Sequence, residues 1–266
     1  MRHGAPGIRS WDSRIRRAEE LAGEGGPAAS LLAFYIRVLR EQKNIYERFT
    51  ARPPARVIDS DAAAIAAAAT NLLQVVARHG PDLLAAEARG LLDGNQAGCE
   101  ELVLTYWRTR SNRSFFAKAL LQPYAQWLVD SGVLHIPAAA PGGENRCPRC
   151  GGAPQVSILE AAGATSGDGR ARRLLCATCL SPWQVRRVLC PGCGEEDERK
   201  LGYYHSPLWD HIRVDACDTC RQYLKTIDLG RLGLAVPLVD EVAGAALDLW
   251  AQERGYGKIE VNLVGL

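Results

Sequence analysis

Eight of the nine cysteines in this 266-residue chain fall into four Cys-x-x-Cys pairs: Cys147/Cys150, Cys176/Cys179, Cys190/Cys193 and Cys217/Cys220. Thiolates are soft ligands, and four of them arranged tetrahedrally satisfy Zn²⁺ or iron without a rigid preformed core. A two-residue spacer lets one turn present both sulfurs, with backbone N–H groups directed back at them. Pro148 and Gly151, and again Pro191 and Gly194, suit that turn because glycine accepts positive φ. The knuckles "CATCL" and "CDTCR" instead place Leu180 and Arg221 there, so those two turns are expected to be looser. The competing chemistry for such pairs is dithiol–disulfide cycling.

The spacing assigns the pairs to sites. Cys147 and Cys190 lie 43 residues apart, and Cys176 and Cys217 lie 41 apart. The segment is therefore an internal repeat of knuckle, hairpin and knuckle, with "CPRCG" echoed by "CPGCG". Each repeat carries a full ligand set, in the style of rubredoxin or a zinc ribbon. Sequential pairing joins Cys147, Cys150, Cys176 and Cys179 in one site, and Cys190, Cys193, Cys217 and Cys220 in the other. A single site within 176–193 would strand the outer pairs, although sharing across repeats stays geometrically open. A unit of about 43 residues buries too little apolar surface to fold alone. A structural metal contributes roughly 10–16 kcal/mol. The cysteine-rich half should therefore depend on metal, while the helical half should fold without it.

Other chemistry is not evident. The chain lacks G-x-x-x-x-G-K-[ST], G-x-G-x-x-G and G-x-S-x-G, and no acid/base or nucleophile constellation emerges. It reads as a protein without catalytic residues, not an enzyme. His205 and His211 flank "SPLWD" and are expected on a surface or hairpin. Cys99 reads as a small buried hydrophobe on a helix. Asp240, Glu241 and Asp248 look like a solvated helix face. Net charge is +2, which gives no strong pull toward nucleic acid or anionic membrane. No apolar run reaches the roughly 18–20 residues of a spanning helix. The twin arginines near the N-terminus are followed by an acidic stretch where a signal's apolar segment should lie. The chain therefore reads as cytosolic, and nine cysteines in that setting argue against a disulfide scaffold and toward metal or redox chemistry.

The elements that must position the cysteines follow from periodicity. Residues 10–135 read as a bundle of about five or six helices. One face carries Leu32, Tyr35, Leu39, Tyr46 and Phe49. A second helix, capped by Asp59 or Ser60, carries Ile65, Ala69, Leu72 and Val76. Pro81 opens another that Gly94 ends, and a further one carries Phe116, Leu120, Tyr124 and Trp127 before Gly132. "PAAAPGGEN" at 137–145 is a linker by composition. β-prone runs then alternate with the cysteine turns: "QVSIL", "RRLLC", "QVRRVLC", "LGYYH", "HIRVDAC" and "YLKTIDL". From Pro237 a helix with Val239, Val242, Ala246 and Leu249 on one face precedes a short tail, "IEVNLVGL". The fold class is α+β. The expected divisions are a helical domain at 1–143, four-cysteine units at 144–187 and 188–233, and a C-terminal helix and tail at 234–266.

Two motifs resemble a known family, the formate dehydrogenase accessory protein FdhE. The chain has C-x-x-C-x-x-x-W-x-x-x-R-x-x-C-x-x-C at Cys176, Cys179, Trp183, Arg187, Cys190 and Cys193. Its last knuckle, Cys217 and Cys220, is followed by Tyr223, Leu224 and Lys225. The departures are Arg221 and the Gly-rich insertion "LEAAGATSGDGRARR". The resemblance implies two rubredoxin-like sites holding iron or zinc after a helical domain. It also implies a cytoplasmic factor that binds the catalytic subunit of respiratory formate dehydrogenase and is needed for its activity, with no nucleic acid, no stable membrane insertion and a homodimer left open. Trp183, Tyr203, Tyr204, Trp209 and Tyr223 are candidate anchors for that partner. The rivals are a zinc-ribbon nucleic-acid-binding protein, drawing on Arg170, Arg172, Arg173, Arg186 and Arg187, and a thiol-based redox chaperone.

Overall fold

Seven α-helices precede the first strand among the described residues of the computed structural model, which describes residues 10–53, 58–109, 114–134, 143–161 and 171–265. They are α1 (Trp11–Gly23), α2 (Ala29–Thr50), α3 (Ile58–Ala67), α4 (Thr70–His79), α5 (Asp82–Asp93), α6 (Gln96–Thr109) and α7 (Phe115–Asp130). The extra breaks come where the sequence gives little warning. The run Ile65, Ala69, Leu72 and Val76 is buried as expected, but it spans two helices bent by 50°. The turn is made by Ala69 N–H donating to Ala66 O at 3.0 Å, a 3₁₀-type bond that tightens the last turn of α3. Asp59, expected as a cap, lies inside the first turn of α3. Pro81 and Gly94 do flank α5, and Asn95 Oδ1 then accepts from Gly98 N to start α6. Ser10 and Ser114 cap α1 and α7. No single helix among the described residues is long and apolar enough to cross a membrane. Most of the expected linker at 137–145, most of the insertion tip and residues 1–9 lie outside the described residues.

The strands are β1 (Pro154–Leu159), β2 (Arg172–Cys176), β3 (Pro182–Val185), β4 (Leu201–Ser206), β5 (Trp209–Cys217), β6 (Gln222–Asp228) and β7 (Gly257–Lys258). Within each repeat the pairing is antiparallel. The two repeats then join edge to edge through a parallel β1–β6 ladder, Ser157 opposite Thr226 and Leu159 opposite Asp228. One sheet results, in the order β3-β2-β1-β6-β5-β4, with β7 added beside β6. Of the run "QVRRVLC" only Gln184 and Val185 stay in a strand.

One sheet face, with Val156, Ile158, Ile212, Val214 and Ile227, packs in the same apolar core as the helical bundle. The C-terminal helix is in fact two, α8 (Pro237–Ala243) and α9 (Ala245–Glu253), divided at Gly244. That break turns Ala246 and Leu249 outward and brings Leu247, Asp248 and Ala251 inward. The supposed solvated face is a correction of a larger kind: Asp240, Glu241 and Asp248 are each 0 % exposed. Asp240 accepts from Arg17 Nη2 at 2.7 Å and pairs with His211 Nε2 at 2.9 Å, and these partners hold its carboxyl low against burial. Glu241 and Asp248 meet Lys225 and Lys258. The tail is no loose end either. Ile259 N–H donates to Tyr223 O, Leu263 is buried, and Glu260 pairs with Lys118 of α7.

Candidate metal centres

Four structurally equivalent turns present the sulfurs. Gly151 and Gly194 adopt φ of +74° and +82°, and Leu180 and Arg221 adopt +56° and +55° at the corresponding places. The second and fourth turns are therefore no looser than the glycine ones. A non-glycine residue there costs about 1 kcal/mol, and packing offsets it. Leu180 is buried, while Arg221 donates to Asp218 and to Arg254 O, with its guanidinium 4.0 Å from the Tyr256 ring centre. Backbone N–H groups point at the sulfurs as the spacing predicts: Arg149 to Cys147 at 3.4 Å, Thr178 to Cys176 at 3.3 Å and Gly192 to Cys190 at 3.4 Å.

The cysteines gather in sequence order. Cys147, Cys150, Cys176 and Cys179 form one cluster, and Cys190, Cys193, Cys217 and Cys220 the other, with the sulfurs of each within 4.8 Å of one another. Contacts across knuckles are 3.6 Å (Cys147–Cys179) and 3.4 Å (Cys150–Cys176) in the first cluster. In the second they are 3.7 Å (Cys190–Cys220) and 3.8 Å (Cys193–Cys217). A tetrahedral ion bound at 2.3 Å needs sulfurs about 3.8 Å apart. The donor set therefore fits a tetrathiolate ion in both places. Glycine makes room for the sulfurs: a Cβ on Gly152 would sit 2.9 Å from Cys176 Sγ, and one on Gly192 would strike the Gln222 side chain. The doubled glycine of "CPRCGG" was the available signal. His205 and His211 sit on the β4–β5 hairpin, outside both clusters.

The two clusters differ in setting. The first is wholly buried, packed with Leu174, Trp183, Val185 and Leu189 and with Ala125 and Val129 of α7. In the second, Cys193 is exposed and Cys220 half-buried, and the apolar packing comes from Leu201 and Val188. In the first cluster the bond from Cys150 lowers the Cys147 thiol, and three neighbouring thiols lower Cys179 despite its burial. Burial drives Cys176 up, and in the second cluster pushes Cys190 up to about 11. Bonds from Cys220 and Cys190 hold Cys217 low against its burial, so each cluster contains at least one thiol shifted toward the ionised form that cation binding requires.

Arg172, which the sequence offered only as positive charge, clasps the two repeats together. Although 3 % exposed, it donates to Ser157 Oγ, to Leu189 O at 2.8 Å and Arg187 O at 3.2 Å, and to Asp215 Oδ2. Those carbonyls precede Cys190, and Asp215 precedes Cys217, so one guanidinium sets both halves of the second site against the first. The remaining arginines do not form a basic stripe. Arg173 pairs with Glu160, and Arg186 with Glu144 and Glu196, while Arg170 lies outside the described residues. Of the candidate anchors, Trp183 and Tyr223 are buried, and the Trp183 indole donates to Glu144 O at 2.7 Å. Tyr203 and Tyr204 are exposed and Trp209 is half-buried.

Comparison with known proteins converges on one family. A model described as "FdhE, central domain" matches residues 146–187, and one described as "FdhE, C-terminal domain" matches 188–264. "Protein FdhE homolog" of Aquifex aeolicus is 41% identical over 122 residues, covering 46% of this chain and 42% of the relative. "Protein FdhE" of Escherichia coli is 32% identical over 157 residues, covering 57% of this chain and 48% of the relative. The matched region thus spans about half the length of these relatives. The crystal structure of the FdhE protein from Pseudomonas aeruginosa shares the fold, with a TM-score of 0.67 at 21% identity, covering 98% of this chain and 97% of that one.

Proposed function

Because the chain belongs to the FdhE family, through residues 146–264, we propose that it is an accessory factor for respiratory formate dehydrogenase. It works in the cytoplasm, binds the catalytic subunit and is required for that enzyme's activity. It is a binding and maturation factor, with Cys147, Cys150, Cys176 and Cys179 holding one iron or zinc ion and Cys190, Cys193, Cys217 and Cys220 another. The observation that carries the reading is the pair of four-sulfur clusters built into one sheet, with sulfur spacings suited to a tetrahedral ion. The first ion would be a structural staple, since its sulfurs are sealed from solvent. The second, with Cys193 at the surface, is the one placed to meet a partner.

The client-binding surface we assign is the β4–β5 hairpin. Tyr203 is 42% exposed, Tyr204 36% and Leu208, at the tip, 85%. With Leu247 and Trp250 of α9 they border a cavity of about 450 Å³. Exposed tyrosines and leucine around such a cavity are the material of an interface centre. Deleting the gene should abolish respiratory formate oxidation while the catalytic subunit is still synthesised. A pull-down should recover that subunit, and Tyr204→Ala with Leu208→Ser should reduce the recovery severalfold. Normal formate oxidation in the deletion strain, with no compensating paralogue, would refute the assignment.

A further inference from the structure

Arg187 belongs to the sequence motif between the second and third cysteine pairs, yet neither cluster uses its side chain. It is exposed, and its guanidinium has no hydrogen bond or ion pair with any described residue. Its backbone, however, is fixed, because the buried Arg172 holds Arg187 O. This cation is thereby held at the rim of a cavity of about 320 Å³ lined on the sheet by Leu159, His211, Ile212 and Thr226. That volume lies at the lower end of the range for small-molecule sites.

The other groups around the cavity make it a receptor for negative charge. Arg213 and Arg231 line it, with His205 directly across the strand pair from Arg213. Arg213 is locked by Asp215, which also accepts from Thr226, so its position is preset. Two carboxylates are present, but neither faces the cavity unspent. Asp228 accepts from the backbone of Gly230 and Arg231 and lies 3.8 Å from Arg231 Nε. Asp210 is 77 % exposed and bonds Arg231. An exposed ion pair of this kind contributes about 0–1 kcal/mol and is readily exchanged. An incoming anion that displaces Asp210 would gain Arg231 together with Arg187, which has no partner among the described residues.

We propose that this cavity binds a small oxyanion, a carboxylate or phosphate group, bridged between Arg187 and Arg231. The reading is independent of the client-binding role. Calorimetric titration of the metal-loaded full chain with citrate and, separately, with pyrophosphate at constant ionic strength tests it. Saturable binding with Kd of about 1 mM or tighter is expected for at least one of them, and the tighter of the two identifies the source chemistry. R187Q should weaken it about tenfold, the scale of one charge-assisted hydrogen bond. D210N should tighten it, because Arg231 loses its shorter carboxylate contact and keeps only the longer one to Asp228, and a purely structural ion pair predicts no such gain. R186Q, a neighbour paired to glutamates away from the cavity, should leave it unchanged. Absence of saturation with both anions at about 10 mM, an unaltered R187Q, an equal loss in R186Q, or weaker binding in D210N would overturn the proposal.

Discussion

Removal of the metal by a thiol-competitive chelator under reducing conditions is expected to unfold the whole sheet and to loosen α7, leaving α1–α6 helical. The first cluster's four sulfurs sit in the apolar interior, together with Leu174, Trp183, Val185 and Leu224. Without a cation the same thiols either stay protonated, linked only by weak S–H contacts, or ionise and repel one another. A structural tetrathiolate ion contributes about 10–16 kcal/mol, against a net stability of about 5–15 kcal/mol for a typical domain. No other term is large enough to compensate. The sequence alone suggested that the helical half would be indifferent to this loss, but α7 changes the expectation. It is almost wholly buried, Gln122 donates to Ala177 O inside the second knuckle at 2.8 Å, and Ala125 and Val129 pack in the first cluster's apolar shell. Circular dichroism should therefore show loss of strand signal with a partial fall in helix. An unchanged thermal midpoint after verified metal removal would show that the clusters are not what holds the sheet.

The second large effect is expected at Lys225. Its ammonium is 0% exposed and bonded to Asp248 and to Glu241, whose carboxylates also hold Lys258. Tyr223 donates to Asp248 at 2.8 Å and Asn262 to Glu241 at 2.9 Å, so the remaining lone pairs are satisfied. Burial pulls the Lys225 amine down, and its two carboxylate neighbours oppose that. Two lysines against two acids make the group neutral. Lys225→Met leaves one buried negative charge unmatched, which costs about 3–5 kcal/mol. Adding Asp248→Asn restores neutrality and keeps a partner for Tyr223, so the double variant should recover part of the loss. Urea unfolding of the metal-loaded proteins measures both. A single-variant loss below about 1 kcal/mol would contradict the ionic network.

This network also explains a motif that sequence reading could register but not interpret. In the Tyr223, Leu224, Lys225 run, the first and third residues point to α8 and α9 and the middle one to the first cysteine cluster. The grouping of the cysteines was legible because the 43- and 41-residue repeat is a local, periodic signal. The helical half was legible in its faces, and α7 in its face and its end. What escaped depended on distant partners. Asp240, Glu241 and Asp248 read as a solvated face because their cationic partners sit on other elements, Arg17 on α1, Lys225 on β6 and Lys258 on β7, which helical periodicity does not register. The parallel β1–β6 join left no trace, since its partners are some seventy residues apart. The corner at Ala68–Ala69 was invisible because alanine favours helix on both sides of it. Trp183 and Tyr223 looked like anchors by residue type, and only packing shows that they face inward.

The central claim, two independent four-cysteine ion sites, is tested most directly by the metal-to-protein ratio of anaerobically reconstituted chain, compared with Cys193→Ser. That cysteine is exposed, so the substitution disturbs no core. The two clusters predict two ions per wild-type chain and one per variant chain. One ion per wild-type chain, or none in the variant, would contradict the account.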